Sequence, residues 1–141
     1  MTNRQTGHTR DAGWQIGVSK TIGHPLEMVW DFLTSDAGTA VWLGHGVRLR
    51  REKGLQYETT DGTTGETRSF HREERIRLTW QPRDWDHETI VQVTVTPEGD
   101  HKTVIRFHQE RLVSADEREQ QRTHWREVMA GVVAALDLEY S

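Results

Sequence analysis

From Trp14 onward the chain alternates: Trp14, Ile16, Val18, Lys20 and Ile22 fall on one side of an extended segment that Gly23 ends. Pro25 then suits a first helical turn, and Leu26, Val29, Trp30 and Leu33 recur at helical spacing. The pattern predicts an amphipathic helix over residues 25–34. A second short helix or turn is expected over 36–42, ending near Gly44 and Gly46.

Between Val47 and Leu112 the period shortens to about two. Turn chemistry at Lys53-Gly54, Asp61-Gly62, Glu73-Glu74, Pro82 to Asp86 and Glu98-Gly99-Asp100 divides this region into six expected strands. Their short connections predict an antiparallel meander. Ile76, Leu78 and Trp80 share a face, as do Val91, Val93 and Val95, then Thr103, Ile105 and Phe107, with Leu55, Tyr57 and Thr59 as an earlier set. Ser114 to Glu117 has the form of a capping box and opens a long helix. Its first turns are polar; Trp125, Val128, Met129, Val132, Val133, Leu136 and Tyr140 then form one stripe. A single helix of this kind hides its stripe by lying in the curve of a twisted sheet. The expected fold is therefore α+β: a curved seven-stranded antiparallel sheet around a long C-terminal helix, with two short helices after the first strand. Residues 1–12 have no apolar period and are expected to be a flexible tail, leaving 13–141 as a single domain.

Composition narrows the chemistry. The absence of cysteine from the 141 residues excludes a disulfide framework, a thiolate zinc site and a cysteine nucleophile. A net charge of -4 argues against nucleic acid as a partner, which usually calls for a basic face. Arg48, Arg50, Arg51 and Lys53 do cluster, but they alternate with Val47 and Leu49 as the wet side of a half-buried strand would. No run approaches the roughly 18 apolar residues of a membrane span, and the opening MTNRQTGHTRDAG lacks the apolar core of a secretory signal. A cytoplasmic location follows as the expectation.

No phosphate loop, HExxH, GxSxG or GxGxxG motif is present. His71 with Glu73 or Glu74 reads as a solvated turn. The stretch QPRDWDHET, residues 81–89, gathers Asp84, Asp86, His87 and Glu88, but successive side chains of an extended segment point apart, and a zinc site wants three converging ligands. It reads as a hairpin tip, and no metal is expected. Trp85 is left over: an apolar ring among charges has to cover something, either a pocket mouth or a second subunit.

The element order resembles the helix-grip fold, and local stretches sharpen the likeness. HPLEMVWDFLTS resembles the opening helix of START-like domains, AVWLG the tryptophan before their first long hairpin, VTPEGDHKTVIRF a characteristic turn before an aliphatic strand, and HWREVMAGVVAAL the closing helix; GETRSFHREERIRLTW keeps the spacing between a glycine-led strand and a tryptophan. Together they resemble the family named after the C-terminal domain of the heat-shock protein 90 ATPase activator, within the polyketide cyclase, START and Bet v allergen superfamily. The likeness runs from about Trp14 to Leu138. His124 and His101 depart from it, at positions where many members carry glycine.

Strand and helix phase place Trp125 and Met129 opposite Tyr57, Trp80, Val93, Ile105 and Phe107, with Trp42 near the short helices. Such side chains either wall a small-molecule pocket or fill the space at ordinary interior density. The resemblance favours the pocket. Tyr57, Thr59, Thr103 and Gln109 are the polar groups expected to point inward, joined by Glu66 and Arg68 if Phe70 does. The strand over 64–72 has too few apolar residues to fix its phase.

Three functions follow from the resemblance. The first is binding of a hydrophobic small molecule, aromatic or lipid-like, between sheet and helix. The second is a cofactor-independent enzyme of the cyclase, aromatase or hydrolase type, in which Tyr57 and Arg68 would position a carbonyl and move a proton. The third is stimulation of a chaperone ATPase, for which the family's separate N-terminal chaperone-binding domain has no room here. A homodimer through an edge strand or Trp85 is also open.

Overall fold

The computed structural model describes residues 8–9 and 13–140. Its elements are β1 (His8–Thr9), β2 (Gly13–Ile22), α1 (Leu26–Thr34), α2 (Asp36–Trp42), β3 (Gln56–Glu58), β4 (Thr64–His71), β5 (Arg75–Trp80), β6 (Thr89–Glu98), β7 (Lys102–Leu112) and α3 (Ala115–Glu139). The strands form one antiparallel sheet in the order β1-β2-β7-β6-β5-β4-β3. β2 thus returns to pair with β7, closing the meander against the first strand.

The expected strand count is met only in part. Residues 47–112 hold five strands rather than six, so the sheet has six strands of three or more residues, and the seventh is the two-residue β1 at the opposite edge. That strand also corrects the reading of residues 1–12 as wholly tail, since His8 pairs with Trp14 and Thr9 with Gly13; residues 1–7 and 10–12 lie outside the described residues. The missing strand is the segment from Val47. Val47 is buried, Arg48 exposed, Leu49 half-buried and Arg50 exposed, so burial does alternate. No ladder accompanies it: the Arg50 carbonyl accepts from the Thr67 hydroxyl at 2.7 Å. Alternation reports burial on one side, and a strand also needs a partner's backbone.

Each helix is placed by its ends. Ser35 accepts a hydrogen bond from Gly38 N at 3.0 Å and so caps α2. Ser114 does the same for α3, accepting from Glu117 N at 3.0 Å, while the Glu117 carboxylate accepts from Val113 N at 3.2 Å. Gln121, Trp125, Val128, Met129, Val132 and Leu136 are the buried side of α3. Among the described residues no helix is long and apolar enough to cross a membrane.

Candidate functional site

The α3 stripe carries Trp125 and Met129 onto the inner face of the sheet, where Trp80 of β5, Val93 of β6 and Ile105 and Phe107 of β7 join the same core. These six are between 0% and 6% exposed. Phe107 stacks on Trp125 at 5.1 Å between ring centroids, and Trp80 lies 6.2 Å from Trp125. Trp42, buried at the α2 end, is 6.4 Å from Phe107 and donates its indole N–H to the Leu33 carbonyl at 2.8 Å. Side chains in ring contact therefore occupy the middle of the space that the sequence assigns to a pocket. Among the described residues, grooves of about 230 to 470 Å³ open at the surface that are not walled by Trp80, Phe107 or Trp125.

The buried polar groups close on one another. Trp125 Nε1 donates to Gln109 Oε1 at 2.8 Å, Gln109 Nε2 donates to Thr89 Oγ1 at 2.9 Å, and the Thr89 hydroxyl donates to the Trp80 carbonyl at 2.8 Å. Thr103 donates to the His24 carbonyl at 2.8 Å, and Thr59 bonds to Asp61. A satisfied chain of this kind fixes the register of β5, β6, β7 and α3.

Tyr57 and Arg68 are not brought together. Between Thr67 and Ser69 β4 slips register against β5, so that Thr67 opposes Leu78 and Phe70 opposes Ile76. The extra residue of this bulge puts Thr67 and Phe70 on the inner face and frees Arg68, which is exposed and ion-paired to Glu66 at 2.8 Å. The expected rule that Arg68 follows Phe70 inward fails for that reason. Phe70 packs edge-on against Trp30 at 5.5 Å, near α1, and Arg51 sits over its ring at 5.4 Å. Tyr57 is buried, but its hydroxyl crosses Gly65 to donate to the Thr79 carbonyl at 2.6 Å. A Cβ on Gly65 would stand 2.0 Å from that carbonyl oxygen, so only glycine permits the crossing. Burial, with the Glu88 carboxylate second, pushes the Tyr57 phenol far above its usual range. Tyr57 instead lines an open groove of about 420 Å³ with Glu58, Glu66, Thr79 and Glu88.

The stretch from Gln81 to Thr89 folds onto the end of this core. Trp85 N donates to the Pro82 carbonyl at 3.0 Å, and Gln81 Nε2 donates to the Trp85 carbonyl at 2.7 Å, which makes a tight turn. Trp85 then stands edge-on against Trp80 at 5.4 Å and stacks on His87 at 4.8 Å. On the α3 side, His124 lies 5.8 Å from Trp80 and 4.8 Å from Trp125. Burial holds the His124 imidazole below its usual pKa, with Glu127 opposing. One turn before Trp125, Gln121 is 7% exposed and its Oε1 has no hydrogen-bond partner among the described residues. Trp85 covers Trp80, which answers what the surplus ring is for.

Sequence reasoning identified the rings and Gln109 by phase. It missed Gln121, although that residue sits four positions before Trp125 and hence on the stripe. It missed Thr89, His87 and Glu117 as partners, because contacts across 20 or 30 residues leave no local pattern.

A family model described as activator of Hsp90 ATPase homolog 1-like protein matches residues 23–137. Among curated proteins none matches. Solved structures that resemble the chain include DynU16, a protein in the dynemicin biosynthetic locus (18% identity, TM-score 0.73), of which the chain covers 47% with 87% of its own length. An HSP90 activator from Plasmodium falciparum (16%, TM-score 0.73) is covered to 96% by 87% of the chain. The Aha1 dimer from Colwellia psychrerythraea (14%, TM-score 0.72) is covered to 98% by 90% of the chain. At these identities the likeness is one of fold: an open antiparallel sheet with a long C-terminal helix.

Proposed function

The chain belongs to the activator of Hsp90 ATPase homolog 1-like family, and from that premise we propose that it binds a hydrophobic small molecule, aromatic or lipid-like, at the aromatic end of the space between sheet and α3. The observation that carries this reading is the cluster of Trp80, Trp85, His124 and Trp125, with the unpaired Gln121 acceptor one helical turn away. A buried acceptor without a donor is costly and marks a place for a ligand O–H or N–H. The rings supply large flat apolar walls. Because side chains in ring contact occupy the middle of that space, the ligand gains access by displacing Trp85 and its turn, which pack on Trp80. The ligand class that fits is flat, largely apolar and equipped with one hydrogen-bond donor.

Melting temperature and tryptophan fluorescence across a broad library of such compounds test the reading. A hit raises the melting temperature with concentration, since a ligand that binds only the folded state stabilises it by mass action. Unchanged melting and fluorescence throughout would refute it.

The enzyme reading has its named pair engaged elsewhere, since the Tyr57 hydroxyl donates to the Thr79 carbonyl and Arg68 is ion-paired to Glu66. Chaperone ATPase stimulation is the second reading, favoured by the family match alone; a mixing assay with a chaperone of this class tests it. The Colwellia relative is a dimer, and sedimentation of this chain tests for the same state.

A further inference from the structure

We infer that the turn carrying Trp85 is a proton-held lid: it is latched to α3 most firmly by the doubly protonated ring of His87 and loosened when that ring loses a proton. The argument starts from the two ring nitrogens. His87 Nδ1 lies 2.9 Å from Asp86 Oδ1, and His87 Nε2 lies 2.8 Å from Glu117 Oε1. Ionised carboxylates only accept hydrogen bonds, so each ring nitrogen must carry a hydrogen, and only imidazolium carries both. A neutral ring satisfies one carboxylate and turns a lone pair on the other.

The same ring holds the lid. His87 stacks on Trp85 at 4.8 Å with an interplanar angle of 18°, and Trp85 stands against Trp80. Glu117 belongs to the first turn of α3 and is fixed there by the capping bonds of Ser114 and Val113. Trp85, His87 and Glu117 thus form one continuous tie between the turn and the helix.

The surrounding charges agree. Burial of His87 disfavours its charged form, but the hydrogen bonds and charges of Asp86 and Glu117 outweigh this and raise its pKa. Of the other charged groups on the same segment, Arg83 lies against Gly62, Asp84 is exposed, and Glu88 acts on Tyr57. From α3, Asp116 is exposed and His124, across the Trp80 ring, is held toward neutrality by burial. The sign follows: the latch is at full strength below the ordinary histidine pKa of about 6.5 and weakens as pH rises through the raised value, when one of the two ring bonds goes. That this movement admits a ligand rests on the binding reading above; the latch itself does not.

Nuclear magnetic resonance of the full chain without ligand, from pH 5 to 9, tests the latch. The His87 ring is expected to titrate above its ordinary pKa with both nitrogens protonated on the acid side, and the Trp85 indole and the amides of 83–88 to lose order with the same midpoint. Asp86→Asn is the decisive variant, because Asp86 is fully exposed on its side chain and the fold does not depend on it. It removes the demand for a second hydrogen, so the His87 midpoint falls and the transition of the turn follows it down. Glu117→Gln gives the same direction. A His87 that titrates at or below its ordinary pKa, or a turn whose order ignores the His87 midpoint in either protein, overturns the inference. A coupled transition with no ligand found in the library keeps the latch and sinks the binding reading.

Discussion

Trp125 on α3 and Gln109 on β7 are joined by an indole N–H to carbonyl hydrogen bond of 2.8 Å, in a place where both side chains are fully buried. The bond is the outer link of the chain through Thr89 to the Trp80 carbonyl, so it ties the helix to the middle strands by chemistry that can only be made in one register. Trp125→Phe keeps an aromatic ring on Phe107 but leaves Gln109 Oε1 without a donor and a small void beside it. The expected loss is about 2–4 kcal/mol, from an unpaired buried acceptor and a cavity together. Adding Gln109→Leu removes the stranded acceptor, so the double variant should be less destabilised than the two single losses summed. Urea unfolding of the four proteins of this cycle measures the coupling.

Gln121 makes the opposite case. Its Oε1 is already buried without a partner, so Gln121→Met should stabilise the ligand-free protein by roughly 0.5–2 kcal/mol while keeping the stem packed. For a ligand found in the library, the same substitution should weaken binding. Stability rising while affinity falls would mark Gln121 as a ligand group; a loss of stability would mean that its amide is needed by the fold.

Arg68 and Tyr57 separate by a simpler test. Arg68→Ala touches an exposed ion pair and should move stability by no more than about 0.5 kcal/mol. Tyr57→Phe leaves the Thr79 carbonyl short of its donor in a buried position and should cost about 1–3 kcal/mol. Paired thermal melts distinguish these outcomes. Equal effects at the two positions would contradict the placement of the Arg68 side chain on the exposed face of the sheet.

How far the sequence reached can be judged on these same residues. Trp80, Val93, Phe107 and Trp125 were legible because β5, β6, β7 and α3 keep strict periods, and period sets facing. Arg68 was not, since one bulge residue reverses every inference made by alternation beyond it. Val47 to Arg50 alternated without becoming a strand, as its exposed and buried sides are set by the core while its backbone partners are not those of a ladder. The role of Trp85 needed the contact between positions 87 and 117, which depends on how the turn lies on the helix.

The histidines set opposing limbs in the dependence of stability on pH. His108 and His124 have pKa values lowered mainly by burial, His108 also by Arg106 and Arg77. Each binds a proton more readily when unfolded, so the stability they permit is present above the unfolded value of about 6.5 and declines as pH falls below it. His87 is raised, so its contribution is full below about 6.5 and declines as pH climbs through its folded value. Together they predict a maximum near neutrality. His124→Gln should flatten the acid limb and leave the alkaline one, whereas Asp86→Asn should flatten the alkaline limb alone. Urea unfolding at pH 5.5, 7 and 8.5, about a unit or more either side of neutrality, resolves the two limbs. Both variants changing the same limb would show that the imidazoles of His87 and His124 titrate as one unit through the intervening Trp80 and Trp85 rings, and not as the two independent groups described.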